Sequence, residues 1–190
     1  MKKTVALLAL SLLSPSAFAS WNLNSEESQF SFSSTKKGTV LENHTFNKMS
    51  GSIKDDGTAT LMLDLTSVNT GIEIRDERMQ SMLFETESFA SATFTTQIDS
   101  AELDKQQKGS INQVNVTGLL NLHGVEKEIS AELNVIKLSD SKVIVSTTKP
   151  IAIKAADFAL DGGIKALTEV AKLPSISFSV PVSFSLMFDH

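Results

Sequence analysis

Residues that could transfer protons, attack carbon or hold a metal are few and scattered. The three histidines, His44, His123 and His190, are far apart and show neither His-x-His nor His-Glu-x-x-His spacing. Cysteine and tyrosine are absent, which removes thiolate nucleophiles, thiolate metal sites, disulfides and phenolic acids. No stretch reads Gly-x-Ser-x-Gly, and no glycine-rich loop precedes a helix to cradle a phosphate. His123 sits in the turn "LHGVEK" and reads as a structural histidine; His190 is terminal. Asp157 and Asp161, in "ADFALDGG", have the setting of turn and cap residues rather than of an acid/base pair. The densest charge cluster is Arg75-Asp76-Glu77-Arg78. Arg75 could clamp the polar head of an amphiphile with its fork of donors. The plainer reading is a solvated helix face with an internal arginine–carboxylate pair. The expectation is a protein that is not an enzyme and uses no cofactor and no metal.

What the chain does display is a long apolar face. In "SISFSVPVSFSLMF", Ile176, Phe178, Val180, Val182, Phe184, Leu186 and Phe188 alternate with serines, Pro181 and Met187. That face could meet a packed core, membrane lipid around an outer-membrane barrel, or a long apolar ligand inside a closed one.

The N-terminus supplies an address. Lys2 and Lys3, an apolar run from Val5 to Leu13, and Ala17-Phe18-Ala19 read as a secretory signal peptide over residues 1–19, cleaved before Ser20. Export to the periplasm is the expectation. Setting aside Lys2 and Lys3 leaves 15 of the 17 basic residues against 22 acidic ones, a formal charge of −7. That balance disfavours nucleic acid and anionic headgroups as electrostatic partners. A single domain spanning 20–190 is long enough to bury one core without disulfides.

The elements that must position these residues are mostly strands. Alternation predicts eight: Gln29–Lys36, Thr39–Lys54, Ala59–Leu65, Ala92–Ala101, Ser110–Leu122, Glu128–Leu138, Lys142–Lys154 and Ser175–Phe188. The connections "KDDGT", "LDKQQKG", "LHGVEK" and "LSDSK" are short, polar and turn-forming, so consecutive strands are expected to pair antiparallel. Two longer connections, "IRDERMQSMLF" and "GIKALTEVAKL", have helical spacing and predict short amphipathic helices covering an end or seam. Eight antiparallel strands imply closure into a barrel, which removes exposed edges. An outer-membrane barrel fits poorly: it needs aromatic girdles, and the chain has one tryptophan, Trp21, and no tyrosine.

Four stretches carry a family resemblance. "SVNTGIEIRDERMQSMLFETESFASATF" (Ser67–Phe94), "VTGLLNLHGVEKEISAEL" (Val116–Leu133) and "ADFALDGG" followed by "VPVSFSL" resemble the YceI-like family, and "WNLNSEESQFSFSS" is similar to its first strand. The likeness runs in order through nearly all of the chain after the signal peptide. Many members carry a proline shortly before the phenylalanine corresponding to Phe94, where this chain reads "FASATF". The resemblance implies an all-β, extended eight-stranded antiparallel lipocalin-like barrel that binds long isoprenoid or similar amphiphilic chains in an internal apolar tunnel. On that reading Phe30, Phe32, Leu63, Met79, Met82, Phe94, Phe178, Val180 and Phe184 are expected to line the tunnel, with Arg75 as the head clamp. The protein would be a periplasmic carrier for a polyprenyl or quinone chain, not membrane-spanning; its oligomeric state stays open, a homodimer included. The competing expectation is a non-catalytic stress-response or interaction module whose barrel is filled by its own side chains. The size of the interior separates the two.

Overall fold

Period-two alternation on eight walls becomes a closed ring. In the computed structural model, which describes residues 20–190, the expected signal peptide lies outside the described residues. The strands are β1 (Trp21–Lys36), β2 (Val40–Phe46), β3 (Met49–Ile53), β4 (Thr58–Asp64), β5 (Val68–Asn69), β6 (Ser91–Gln97), β7 (Ile111–Leu122), β8 (Val125–Ser139), β9 (Lys142–Thr147), β10 (Ile151–Lys154) and β11 (Ser179–Asp189). β1, β3, β4, β6, β7, β8, β9 and β11 pair in that order, all antiparallel, and β11 returns to β1. The fold is an eight-stranded antiparallel barrel, as expected.

The differences from the expected elements have local causes. The run Thr39–Lys54 is two strands, because β1 is long enough to pair with β2 through Ser31–Lys36 and with β3 through Trp21–Asn22. Lys142–Lys154 divides into β9 and β10 at Pro150, which lacks an N–H and constrains the residue before it. The final run is regular only from Ser179, and Ile176 contributes an isolated bridge to Lys36. The strand expected at Ala92–Ala101 stops at Gln97. There the Asp99 carboxylate accepts from the Ala101 N–H at 3.1 Å and caps α2 (Ser100–Lys105), a helix where a plain hairpin loop was expected.

β1 carries an irregularity that the barrel requires. Asn24 pairs with Met187 and Gln29 with Ser185, so β1 spends five steps where β11 spends two. The three additional residues reverse the parity of the strand. Trp21 and Leu23 face inward before the excursion, and Phe30 and Phe32 after it. Ser28 holds the detour closed: its hydroxyl donates to the Asn24 carbonyl at 2.6 Å and accepts from the Met187 N–H at 2.9 Å.

Both expected helices form, and they close one end. α1 (Glu73–Arg78) runs into a π-helix (Met79–Phe84) that ends at left-handed Glu85, and α3 (Asp161–Val170) packs across it. The packing is close enough to dictate a residue type: a Cβ on Gly163 would lie 2.6 Å from the Met82 carbonyl oxygen and 2.7 Å from the Leu83 Cα. Neighbouring Gly162 has open space. Gly163→Ala is therefore expected to destabilise by about 1–3 kcal/mol through overpacking. Gly162→Ala should be neutral or stabilising by up to ~1 kcal/mol, since alanine has fewer unfolded conformations to lose. Urea midpoints of the two variants check the contrast; equal effects would show that the helix contact does not set the requirement.

Candidate functional site

The inward rows do not meet across the barrel. They surround a cavity of about 570 Å³, within the ~300–1,000 Å³ range of small-molecule sites. Its wall is built strand by strand: Phe30 and Phe32 from β1, Leu61 and Leu63 from β4, Ala92 and Phe94 from β6, Leu120 and Leu122 from β7, Ile129, Ala131 and Leu133 from β8. β11 contributes every second residue from Val180 to Phe188. Val180, Val182 and Phe184 remain half-buried because they face this space rather than packed neighbours. Gly118 shapes the wall, since a Cβ there would lie 2.5 Å from the Phe94 ring and from the Thr95 carbonyl oxygen.

Two apolar clusters close the ends. Phe46, Leu65, Phe84, Phe158, Leu160 and Ile164 gather under the π-helix and α3. Trp21, Ile53, Val135, Val143 and Phe188 gather around Leu103 of α2. α2 is anchored from β8: the buried Gln106 amide donates to the Ser110 and Val135 carbonyls at 3.0 and 2.8 Å, and buried Lys137 donates to the Leu103 carbonyl at 3.2 Å.

The polar lining is unevenly distributed. Thr60, Thr96, Gln97, Asp99, Glu102, Gln106, Asn112, Asn115 and Thr117 supply all of it, toward the α2 end. The cause is topological. β6 and β7 pair only from Thr93↔Asn121 to Thr96↔Gly118, and β7 continues to Ile111 paired with β8 alone. The Thr96 hydroxyl donating to the Thr117 carbonyl at 2.7 Å is the last tie. Beyond it the wall parts, and the cavity reaches the unpaired edge of β7, where side chains from both faces of that strand line it.

Six of the nine residues expected on the tunnel, Phe30, Phe32, Leu63, Phe94, Val180 and Phe184, line this cavity. Met79, Met82, Phe178 and the expected head clamp Arg75 lie elsewhere. Met79 is buried in the core between helix and barrel, and Met82 presents its backbone to α3. Phe178 precedes the regular part of β11 and is 42% exposed. Arg75 is held away from the cavity: Nη1 donates to Glu42 at 2.7 Å and Nη2 to the Thr70 carbonyl at 2.6 Å. The polar groups at the α2 end went unforeseen, because "LDKQQKG" reads as a simple turn. The Asn112 and Asn115 interruptions of "INQVNV" were the available signal.

The remaining chemistry-bearing residues do not converge. His123 Nδ1 lies 3.3 Å from the Phe158 carbonyl and its ring packs on Phe89. His190 packs edge-on against Trp21, Asp157 lies in the 3-10 turn Ala155–Phe158, and Asp161 opens α3. Among the described residues, no group of three His, Asp or Glu side chains could hold a metal ion.

Arg75 belongs to an ionic cluster at the helical end. Glu42 bridges Arg75 and Lys36, whose ammonium lies 2.8 Å away, and this hydrogen bond holds the Glu42 carboxyl below its ordinary range. His44, buried between Phe32 and this cluster with its Nε2 2.8 Å from the Ser34 hydroxyl, is pushed below its ordinary value, chiefly by burial and also by the Arg75 charge. The folded protein thus binds the His44 proton less readily than the unfolded chain. Stability should fall as pH drops below about 6.5, where the unfolded histidine charges, and be unaffected by His44 above it. Glu42 contributes stability above its ordinary 4.5 and loses it only as pH falls lower still. Urea midpoints at pH 7.5 and 5.5 should therefore show a smaller pH dependence in His44→Gln than in the parent; an unchanged difference would reject the assignment.

A closed antiparallel barrel with an apolar interior and outward serines, threonines and glutamates on β4, β6, β8 and β11 is the inverse of a lipid-facing barrel. The class so defined is a hollow, lipocalin-like antiparallel barrel. The chain belongs to the YceI-like domain family, whose model matches residues 21–188. A polyisoprenoid binding domain from Saccharophagus degradans, implicated in plant cell wall breakdown, is 42% identical over 90% of this chain and 98% of its own, with a TM-score of 0.88. BcnA of Burkholderia cenocepacia (20% identity, 87% of this chain and 98% of its own, TM-score 0.68) shares the fold. So does a YCEI protein of Campylobacter jejuni (19% identity, 77% and 84%, TM-score 0.57). A search of curated proteins finds no match. No helix among the described residues is long and apolar enough to cross a membrane.

Proposed function

We propose that the protein is a non-catalytic periplasmic carrier or store for a long isoprenoid-type chain, polyprenyl or quinone, held non-covalently in the barrel. The observation that carries this reading is the unfilled apolar cavity, supported by 42% identity to a polyisoprenoid binding domain. A barrel meant only to present its outer surface would gain by filling that space, because each void forfeits dispersion contacts. Binding draws on apolar burial at about 25 cal/mol per Å², less the cost of ordering the chain. Periplasmic residence follows from the signal peptide expected over residues 1–19.

Extraction of protein purified from its own host with organic solvent, followed by mass spectrometry, should recover a prenyl lipid. Recovery of none, together with no uptake of added prenyl chains, would reject the proposal. The faces of β11 give a sharper test. Phe184→Asp puts an unpaired carboxylate against the apolar chain, which costs several kcal/mol or forces its protonation. Retention should collapse in that variant and persist in Ser183→Asp, on the outer face, and in Phe178→Asp, off the cavity. Circular dichroism confirms folding of each. Retention by Phe184→Asp would remove β11 from the site.

A further inference from the structure

The cavity is amphipathic, and its polarity has a sign. Its depth, from Phe94 and Phe184 to the helical end, is apolar, while all of its polar side chains lie toward α2, where β6 and β7 part. Among the described residues the lining includes two carboxylates, Asp99 and Glu102, and several side-chain amides, but no lysine, arginine or histidine. From these observations we infer that the gap between α2 and β7 is the seat of the ligand's polar head. This mouth accepts an uncharged, hydrogen-bonding head, such as a hydroxyl or a quinone carbonyl, and discriminates against a phosphorylated one. The inference rests on the carrier reading above and adds the head-group class to it.

The charges around the mouth support that sign. Asp99 is fixed as the cap of α2, its carboxylate accepting from the Ala101 N–H at 3.1 Å. Glu102 is paired at 2.9 Å with Lys105, an exposed partner screened by water. The turn before β4 adds Asp55 and Asp56, whose backbone carbonyls accept from the Ser100 hydroxyl and the Gln97 amide respectively. Nearby cations are engaged off the lining: Lys54 faces Asp56, Lys108 pairs with Asp140 at 2.7 Å, and buried Lys137 donates to the Leu103 carbonyl. The guanidinium and ammonium best suited to a phosphate, Arg75 and Lys36, lie at the opposite end, both bound to Glu42. A phosphate seated at the mouth would meet like charge without a lining cation, whereas an uncharged head can donate to Asp99 or exchange hydrogen bonds with Asn112 and Asn115.

The test compares a long-chain prenol with the monophosphate of the same prenol, by equilibrium binding to delipidated protein at pH 7.5 and low salt. The prenol should bind at least about tenfold more tightly, and the gap should narrow as salt is raised. Asp99→Asn, which keeps the cap, combined with Glu102→Gln should improve phosphate binding relative to prenol binding and so narrow the ratio between the two ligands. Asn115→Lys, which brings a cation to the mouth, should improve phosphate binding further, while Ser183→Lys on the distant outer wall should alter neither ligand. Equal binding of the two ligands by the parent protein, or a ratio unmoved by the mouth variants, overturns head-group selection and leaves the carrier reading standing. Failure of both ligands to bind overturns both.

Discussion

Closure of β11 against β1 is the constraint on which the rest of the barrel depends. β11 is straight in register and offers its apolar row at one parity from Val180 to Phe188. β1 must match that row at both of its halves, although its own inward residues change from odd to even numbers. The three residues taken up in the Ser25–Ser28 detour reconcile the two. A one-residue slip in either direction would turn an aromatic wall to water.

A hollow barrel lacks the packed centre that stabilises most small domains, so its cohesion is concentrated at the ends. Phe158, Leu65 and Val143 are the most completely buried side chains, and all three sit in the terminal clusters rather than mid-barrel. Helices supply the material: the π-helix and α3 at one end, α2 at the other. Gly163 makes the first closure possible and the Gln106 amide ties down the second. The space between them is the cavity.

The two ends also divide the electrostatics. Near the helical end, Lys36 and Arg75 share the Glu42 carboxylate beside buried His44, outside the cavity. The α2 end, by contrast, leaves carboxylates and amides on the lining. This division arises because β6 stops pairing at Thr96. Asp99 then starts a helix where a strand would have completed the wall.

Much of this was legible in the residue order. Alternation is a local property, and it marked eight walls, three of the four expected hairpin turns, both helices of the closed end and the inward rows of β1, β4, β6 and β11. The sequence by itself therefore determined that a long apolar face exists and which residues share it. It could not determine whether that face is filled, because a void depends on how rows from eight strands approach one another across the barrel. Nor could it separate Phe178 from Phe184, which have identical alternation, although Phe178 falls in the irregular stretch before β11 and is exposed while Phe184 lines the cavity. Arg75 shows the same limit: its charge was plain, yet only the fold brought Glu42 and the Thr70 carbonyl to its guanidinium and turned it from the cavity. Contacts between residues distant in the chain were decided by tertiary structure alone, and the open seam at β7 is made of such contacts.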